Sequence, residues 1–200
     1  MNTAARLLAI LTMPLLLAAP PAQAERADAK KETQIQSVKA DYDSVRETGS
    51  FSGNIQLTRG SLKMSGEKLD FAKNAAGYQE FVLLGAPGAR ASFRQKSDQG
   101  EDEWIEGEGE RIEYSDQKEE MKIHGQAVLR RMEGKRVIEQ VQGALVIYDS
   151  LKEVFRAVND NSGAAQAGAP RVTVVIQPRS EKKAADKPAE KAADKAAAKP

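Results

Sequence analysis

The sequence predicts an all-β protein, and three observations carry that prediction. A stretch of chain recurs: Tyr42, Gly53 and Leu57 correspond to Tyr114, Gly125 and Leu129 at a constant separation of 72 residues, and Leu69 and Phe71 to Leu145 and Ile147 at 76. Self-similarity of this kind marks a supersecondary unit stacked on its own copy. Within both copies apolar and polar residues alternate one by one, the period of a strand with one buried face and not of a helix. Glycines at 49, 60, 66, 77, 85, 100, 134 and 143 fall near the joints, where tight turns need a residue free of side-chain restraint.

In chain order, the first element stands outside the fold. Arg6, an apolar run from Leu7 to Ala19, Pro20, Pro21 and the triplet Ala22, Gln23, Ala24 have the positive, greasy and small-residue organisation of a cleavable secretory signal. Residues 1–24 are therefore expected to be removed, leaving a mature chain from Glu25. The competing reading is a membrane anchor. The run is interrupted by Pro14 and falls below the roughly 20 apolar residues of a spanning helix. The absence of cysteine leaves no lipid-attachment site and no disulfide framework.

A short linker, 25–32, precedes a single domain over 33–178. Its first segment, Gln34 to Tyr42, is expected to form an edge strand. In the next, Phe51, Ile55 and Leu57 share one face with Gly53, while Ser52, Asn54, Gln56 and Thr58 hold the other. Leu62 with Met64 and Leu69 with Phe71 continue the alternation. The second copy repeats it, with Met121, Ile123, Ala127 and Leu129 opposed to Lys122, His124, Gln126 and Arg130, and Val128 as an apolar residue on the polar side. Leu145 with Ile147, then Val172, Val174 and Ile176, close the series, the last as a second edge. At ordinary spacing the domain has room for about a dozen strands. From 179 to 200 the chain is almost entirely Lys, Ala, Asp, Glu and Pro, with K-A-A-D-K at 183–187 and 191–195. Such a segment has too little apolar area to offset its ordering entropy, and a disordered tail is expected.

Composition excludes several function classes. The formal net charge of +1 lacks the concentrated basic excess of a nucleic-acid binder. His124 is the only histidine and cysteine is absent, which removes His-Cys metal sites and cysteine nucleophiles. Gly49-Ser50-Phe51-Ser52-Gly53 has phenylalanine where a nucleophile elbow needs serine. The acidic cluster Glu101, Asp102, Glu103, Glu106, Glu108, Glu110 lacks calcium-loop spacing and reads as a solvated loop or edge. Trp104, which follows the run Glu101 to Glu103, reads as a strand residue covering one end of the core. No catalytic residue, metal or cofactor is expected, and the protein is read as a non-enzyme. On the residues alone, an ordinary closed sandwich that binds carbohydrate or protein on its surface fits the pattern as well as an open one.

Four segments add a resemblance. G-N-I-Q-L-T-R-G from Gly53 to Gly60, L-L-G-A-P-G-A-R-A-S-F-R-Q from Leu83 to Gln95, E-G-E-R-I-E-Y from Glu108 to Tyr114 and H-G-Q-A-V-L from His124 to Leu129 occur in one order across nearly the whole domain. Together they resemble the OstA-like domain of the LptA family of periplasmic lipopolysaccharide transport proteins. Gly66-Glu67 stands where that family often has Ala-Asp, and Arg130 to Gln140 is longer and more charged than its counterpart in the first copy.

The resemblance implies a V-shaped, twisted antiparallel β-jelly-roll in the periplasm, with an apolar groove that binds lipopolysaccharide and serves outer-membrane assembly. It also implies head-to-tail self-association, an inner-membrane LptC-like protein at the N-terminal edge and an outer-membrane LptD-like translocon at the C-terminal edge. A membrane-anchored member of the same superfamily is a further alternative, opposed by the cleavage signal. Parity then assigns the groove lining to Phe51, Ile55, Leu57, Leu62, Met64, Leu69, Phe71, Phe93, Ile112, Tyr114, Met121, Ile123, Leu129, Leu145 and Ile147. Apolar surface of this kind replaces water around acyl chains, at about 0.8 kcal/mol per buried CH₂.

Overall fold

A computed structural model describes residues 27–100, 102–160 and 171–178; the expected signal and tail lie outside them. After a helical turn at 27–30 the chain forms β1 (Thr33–Gln36), β2 (Lys39–Asp43), β3 (Thr48–Arg59), β4 (Leu62–Lys73), β5 (Gln79–Leu84) and β6 (Ala91–Lys96). There follow β7 (Glu103–Gly109), β8 (Arg111–Ser115), β9 (Glu120–Glu133), β10 (Arg136–Asp149), β11 (Val154–Val158) and β12 (Thr173–Ile176).

Two long hairpins, β3–β4 and β9–β10, organise the molecule, because each limb pairs with one neighbour along its first half and another along its second. One half-sheet runs β2-β3-β4-β5-β8-β9-β10-β11. The other runs β1-β3-β4-β6-β7-β9-β10-β12. Every pairing is antiparallel, and no pairing joins β1 to β12 or β2 to β11, so both ends remain open. Strands passing from one packed sheet into another by a bend or bulge are the usual means of folding a long sheet onto itself.

The bends are written in the sequence twice. In β3 the register slips between Ser52 and Ile55, where Gly53 and Asn54 have φ of 85° and 46°. In β9 Gly125 and Gln126 have φ of 70° and 48°, a left-handed pair that glycine makes inexpensive. The backbone N–H of Val38 donates to the carbonyls of Ser52 and Gly53, and that of Glu110 donates to those of His124 and Gly125. The six strands β1–β6 thus repeat as β7–β12. The two units join where β5 and β6 meet β8 and β7.

The register corrects one part of the repeat. Phe51 and Ile123 occupy equivalent places in β3 and β9, and their partners are Leu69 and Val146; likewise Phe71 corresponds to Tyr148, Met64 to Val141 and Gly66 to Gly143, a separation of 77 and not 76. The second hairpin is longer by two rungs, Met132 with Val137 and Glu133 with Arg136, and by a bulge between Val137 and Glu139. A one-residue change exchanges the faces of a strand. Leu145 and Ile147 therefore lie on the outer face, and Val146 and Tyr148 point inward with the core. Leu145 is nonetheless buried there, as is Val128 on the outer side of β9.

The inner faces of the two half-sheets pack against each other as one cluster. Gly107 of β7 shows how closely: a Cβ there would lie 2.1 Å from Phe93 Cε1 in the same half-sheet and 2.8 Å from Ile123 Cδ1 in the other.

Candidate functional site: the interior and its mouth

The inward residues line up in rows that cross the whole molecule. In the first half-sheet, register places Tyr42, Gly49, Phe71, Phe81, Tyr114, Met121, Tyr148 and Phe155 side by side on eight successive strands. Four of these rings meet in sequence: Tyr42 to Phe71 at 6.2 Å and Phe71 to Phe81 at 5.7 Å, both tilted, and Phe81 to Tyr114 stacked at 5.7 Å between centroids. In the second half-sheet the matching row is Ile35, Leu57, Met64, Phe93, Gly107, Leu129, Val141 and Val174. Neither row is interrupted where one repeat unit meets the next.

Of the residues assigned inward by parity, Ile55, Leu57, Leu62, Met64, Leu69, Phe93, Ile112, Tyr114, Met121, Ile123 and Leu129 are buried in this interior. Phe51 and Phe71 are half-buried against it, near the open end formed by β2. Leu145 and Ile147 are excluded by the register described above. Phe81, Leu83, Ala91, Ile105, Val141, Val146 and Tyr148 also point inward and were missed. Phe81 and Leu83 sit in an unbroken apolar run, Phe81 to Leu84, in which alternation carries no signal. Ile105 follows Trp104 and has Glu103 and Gly107 two positions to either side, so no alternating apolar partner marks its face.

One missed residue is charged. Arg59, at the end of β3, is 0% exposed. Its Nη1 donates to Asp116 Oδ2 at 3.0 Å and its Nη2 to Asp116 Oδ1 at 2.5 Å, a two-pronged pair, and Nη2 also donates to Tyr114 Oη at 2.6 Å. The guanidinium carbon lies 5.1 Å from the Tyr114 ring centroid and 5.7 Å from that of Phe81. Burial alone lowers the Arg59 pKa, but the hydrogen bonds and the charge of Asp116 outweigh it, and the pKa is raised. Burial is the first cause raising the Tyr114 pKa, so its hydroxyl stays protonated.

This ion pair spans the two half-sheets. Arg59 ends the β3 segment paired with β1, whereas Asp116 follows β8, its backbone N–H donating to the Gln79 carbonyl of β5 and its carboxylate Oδ2 accepting from the Gln79 N–H. Beside it, Thr33 of β1 donates to Gln79 Oε1 at 2.8 Å. Asp28 covers the β3–β4 turn, accepting from Ser61 N and Oγ and from Gln95 Nε2. The bends lie at one side of the interior, and these contacts close the opposite side, its mouth.

The outer face is polar and internally paired. Arg90 and Arg130 both meet Glu108, at 3.0 and 2.8 Å. Arg94 pairs with Glu106 and lies 4.3 Å over the Trp104 ring. His124 Nε2 lies 3.2 Å from Glu113 Oε1, yet burial dominates and lowers its pKa.

Comparison with known proteins agrees with this architecture. A family model described as LptA/(LptD N-terminal domain) LPS transport protein matches residues 34–154. The lipopolysaccharide export system protein LptA of Haemophilus influenzae is 25% identical over 173 residues, covering 86% of this chain and 92% of the relative. The protein of the same name from Escherichia coli K12 is 25% identical over 169 residues, covering 84% and 83%. Among solved structures, LptH is described as the LptA-homologous periplasmic component of the lipopolysaccharide transport device of Pseudomonas aeruginosa. It superposes with a TM-score of 0.63 at 21% identity, over 76% of this chain and 99% of that one. A match spanning both repeat units and more than half of the sequence shows that the chain belongs to the LptA/LptD N-terminal-domain family of lipopolysaccharide transport proteins.

Proposed function

We propose that this chain is a periplasmic bridge that carries lipopolysaccharide from an inner-membrane export complex to an outer-membrane translocon, with the acyl chains in the apolar interior. The observation that carries the reading is the continuity of the inward rows from one unpaired edge to the other. A path built of such rows shields acyl chains from water along its length and performs no bond chemistry. The twenty or so inward side chains supply the transfer free energy, at about 25 cal/mol per Å² of apolar surface covered.

The two ends support assembly by strand addition. Tyr42 is 53% exposed at the β2 edge, and Val174 and Ile176 are 47% and 72% exposed on β12. Inside the chain, β5 and β6 of the first unit already pair with β8 and β7 of the second. Translated by the repeat, that junction sets β11 and β12 of one copy against β2 and β1 of the next, with Phe155 opposite Tyr42 and Val174 opposite Ile35. Main-chain hydrogen bonds of an edge strand give such a joint its affinity, and the apolar row gives it register. The same edges suit an LptC-like partner at β1 and β2 and an LptD-like partner at β11 and β12.

The test is what the protein carries. Purified without detergent from cells that make lipopolysaccharide, it should retain that lipid, read by mass spectrometry of released fatty acids. Lipid-free protein that binds only delipidated saccharide would instead support the surface-binding sandwich.

A further inference from the structure

The interior is shut. Ile55, Leu69, Phe81, Ile112, Ile123 and Val146 are 0% exposed, so their side chains are covered by one another and not by solvent. Acyl chains then find room only if the two half-sheets separate. The bends are continuous backbone, whereas the mouth is closed by side chains alone, and the mouth is therefore the side that can part.

We propose that Arg59 and Asp116 form a latch across the groove mouth, and that lipid acyl chains enter when this ion pair opens. The inference rests on the acyl-groove reading given above. Three features single out this contact. It joins the free ends of the two half-sheets, β3 beyond its bend and the chain just after β8. It is the one buried arginine to aspartate pair among the described residues, with both side chains nearly sealed. Its Arg59 Nε has no hydrogen-bond partner, so the closed state leaves one donor unsatisfied that opening would hydrate.

The chemistry suits a contact that must reopen. An apolar seal of equal area loses favourable burial in full when it parts. A buried ion pair regains the hydration of both charges, which offsets much of the attraction given up. The aromatic walls, Tyr114 and Phe81, hold the guanidinium in place while it is closed. In the second unit Arg131 holds the place in β9 that Arg59 holds in β3, but its side-chain partners are Gln99, at 3.2 Å, and Glu139, at 4.0 Å.

The absence of native cysteine gives a direct test. Thr33→Cys and Gln79→Cys, whose side chains already touch across the mouth, would be joined by a short bis-methanethiosulfonate reagent that reductant cleaves. A photo-reactive residue at Ile55 then reads entry of purified lipopolysaccharide. The bridged protein should give adduct about tenfold lower than the same protein after reduction, the scale of a modest population shift. Asp116→Asn, which keeps shape but removes the carboxylate charge, should load several-fold faster than the unaltered chain, with far-ultraviolet circular dichroism unchanged. If Asp116→Asn does not fold, the bridged pair decides alone. Equal adduct in bridged and reduced protein overturns the latch and leaves the groove standing. No adduct in any form, the unaltered chain included, overturns the groove reading and the latch with it.

Discussion

Arg59 continues the inward parity of Ile55 and Leu57, so alternation alone directs it into the interior. The sequence does not show what makes a charge tolerable there, because Asp116 lies 57 residues away and meets it only through the β5–β8 pairing. Removing one partner leaves the other charge buried, so Arg59→Met should lower unfolding free energy by about 3–5 kcal/mol in urea titrations. Arg59→Met with Asp116→Leu should recover most of that loss, since a packed apolar pair of similar volume replaces the ions without a desolvation cost. A double variant as unstable as the single one would mean that the aromatic and tyrosine contacts, and not the charge, hold Arg59. His124 offers a second test at this scale. Its folded-state pKa is depressed by burial, so the unfolded chain binds a proton more readily. Stability is therefore retained above the ordinary histidine pKa of about 6.5 and is lost as pH falls through it. His124→Gln should flatten the thermal midpoint between neutral pH and pH near 5; an unchanged slope would assign that loss to carboxylates.

At the scale of elements, alternation locates strands where it is clean and fails where it is not. Phe51 to Thr58 and Met121 to Arg130 alternate, and their inward sets were legible apart from the bends. Ala144 to Tyr148 is five apolar residues in succession, so parity carries no register there, and a repeat separation of 76 falls one residue short across the longer second hairpin. Sequence parity therefore points Leu145 and Ile147 inward, whereas the register points Val146 and Tyr148 inward. The two ends are legible from position in the chain, but the single N-terminal edge strand expected over Gln34 to Tyr42 divides into β1 and β2, which pair with different halves of β3, and β11 is an edge beside β12. The repeat predicts how such edges meet. A chain with Tyr42→Cys mixed with a chain carrying Phe155→Cys should form a covalent heterodimer on mild oxidation, because facing residues in antiparallel strands have Cβ atoms about 4.5–5.5 Å apart. Val154→Cys, one residue away and on the opposite face, should not. Equal yields from 154 and 155 would contradict the proposed register.

The whole molecule is two six-stranded units sharing one apolar interior, folded at paired bends and closed at the mouth by polar contacts. Fold class, repeat and most of the lining came through in the sequence because they are periodic. The division into half-sheets did not, since it depends on which neighbour each half of a long strand selects. If the inward face conducts acyl chains, photo-crosslinking in cells with the probe at Ile55 or at Gln56 separates the two faces of β3. Ile55 is buried in the interior and Gln56 is exposed on the outer face. A lipopolysaccharide adduct at Ile55 that requires ATP in the cell is expected, with little at Gln56. Folded protein with equal adduct at both positions, or with none at Ile55, would contradict conduction along the inward face.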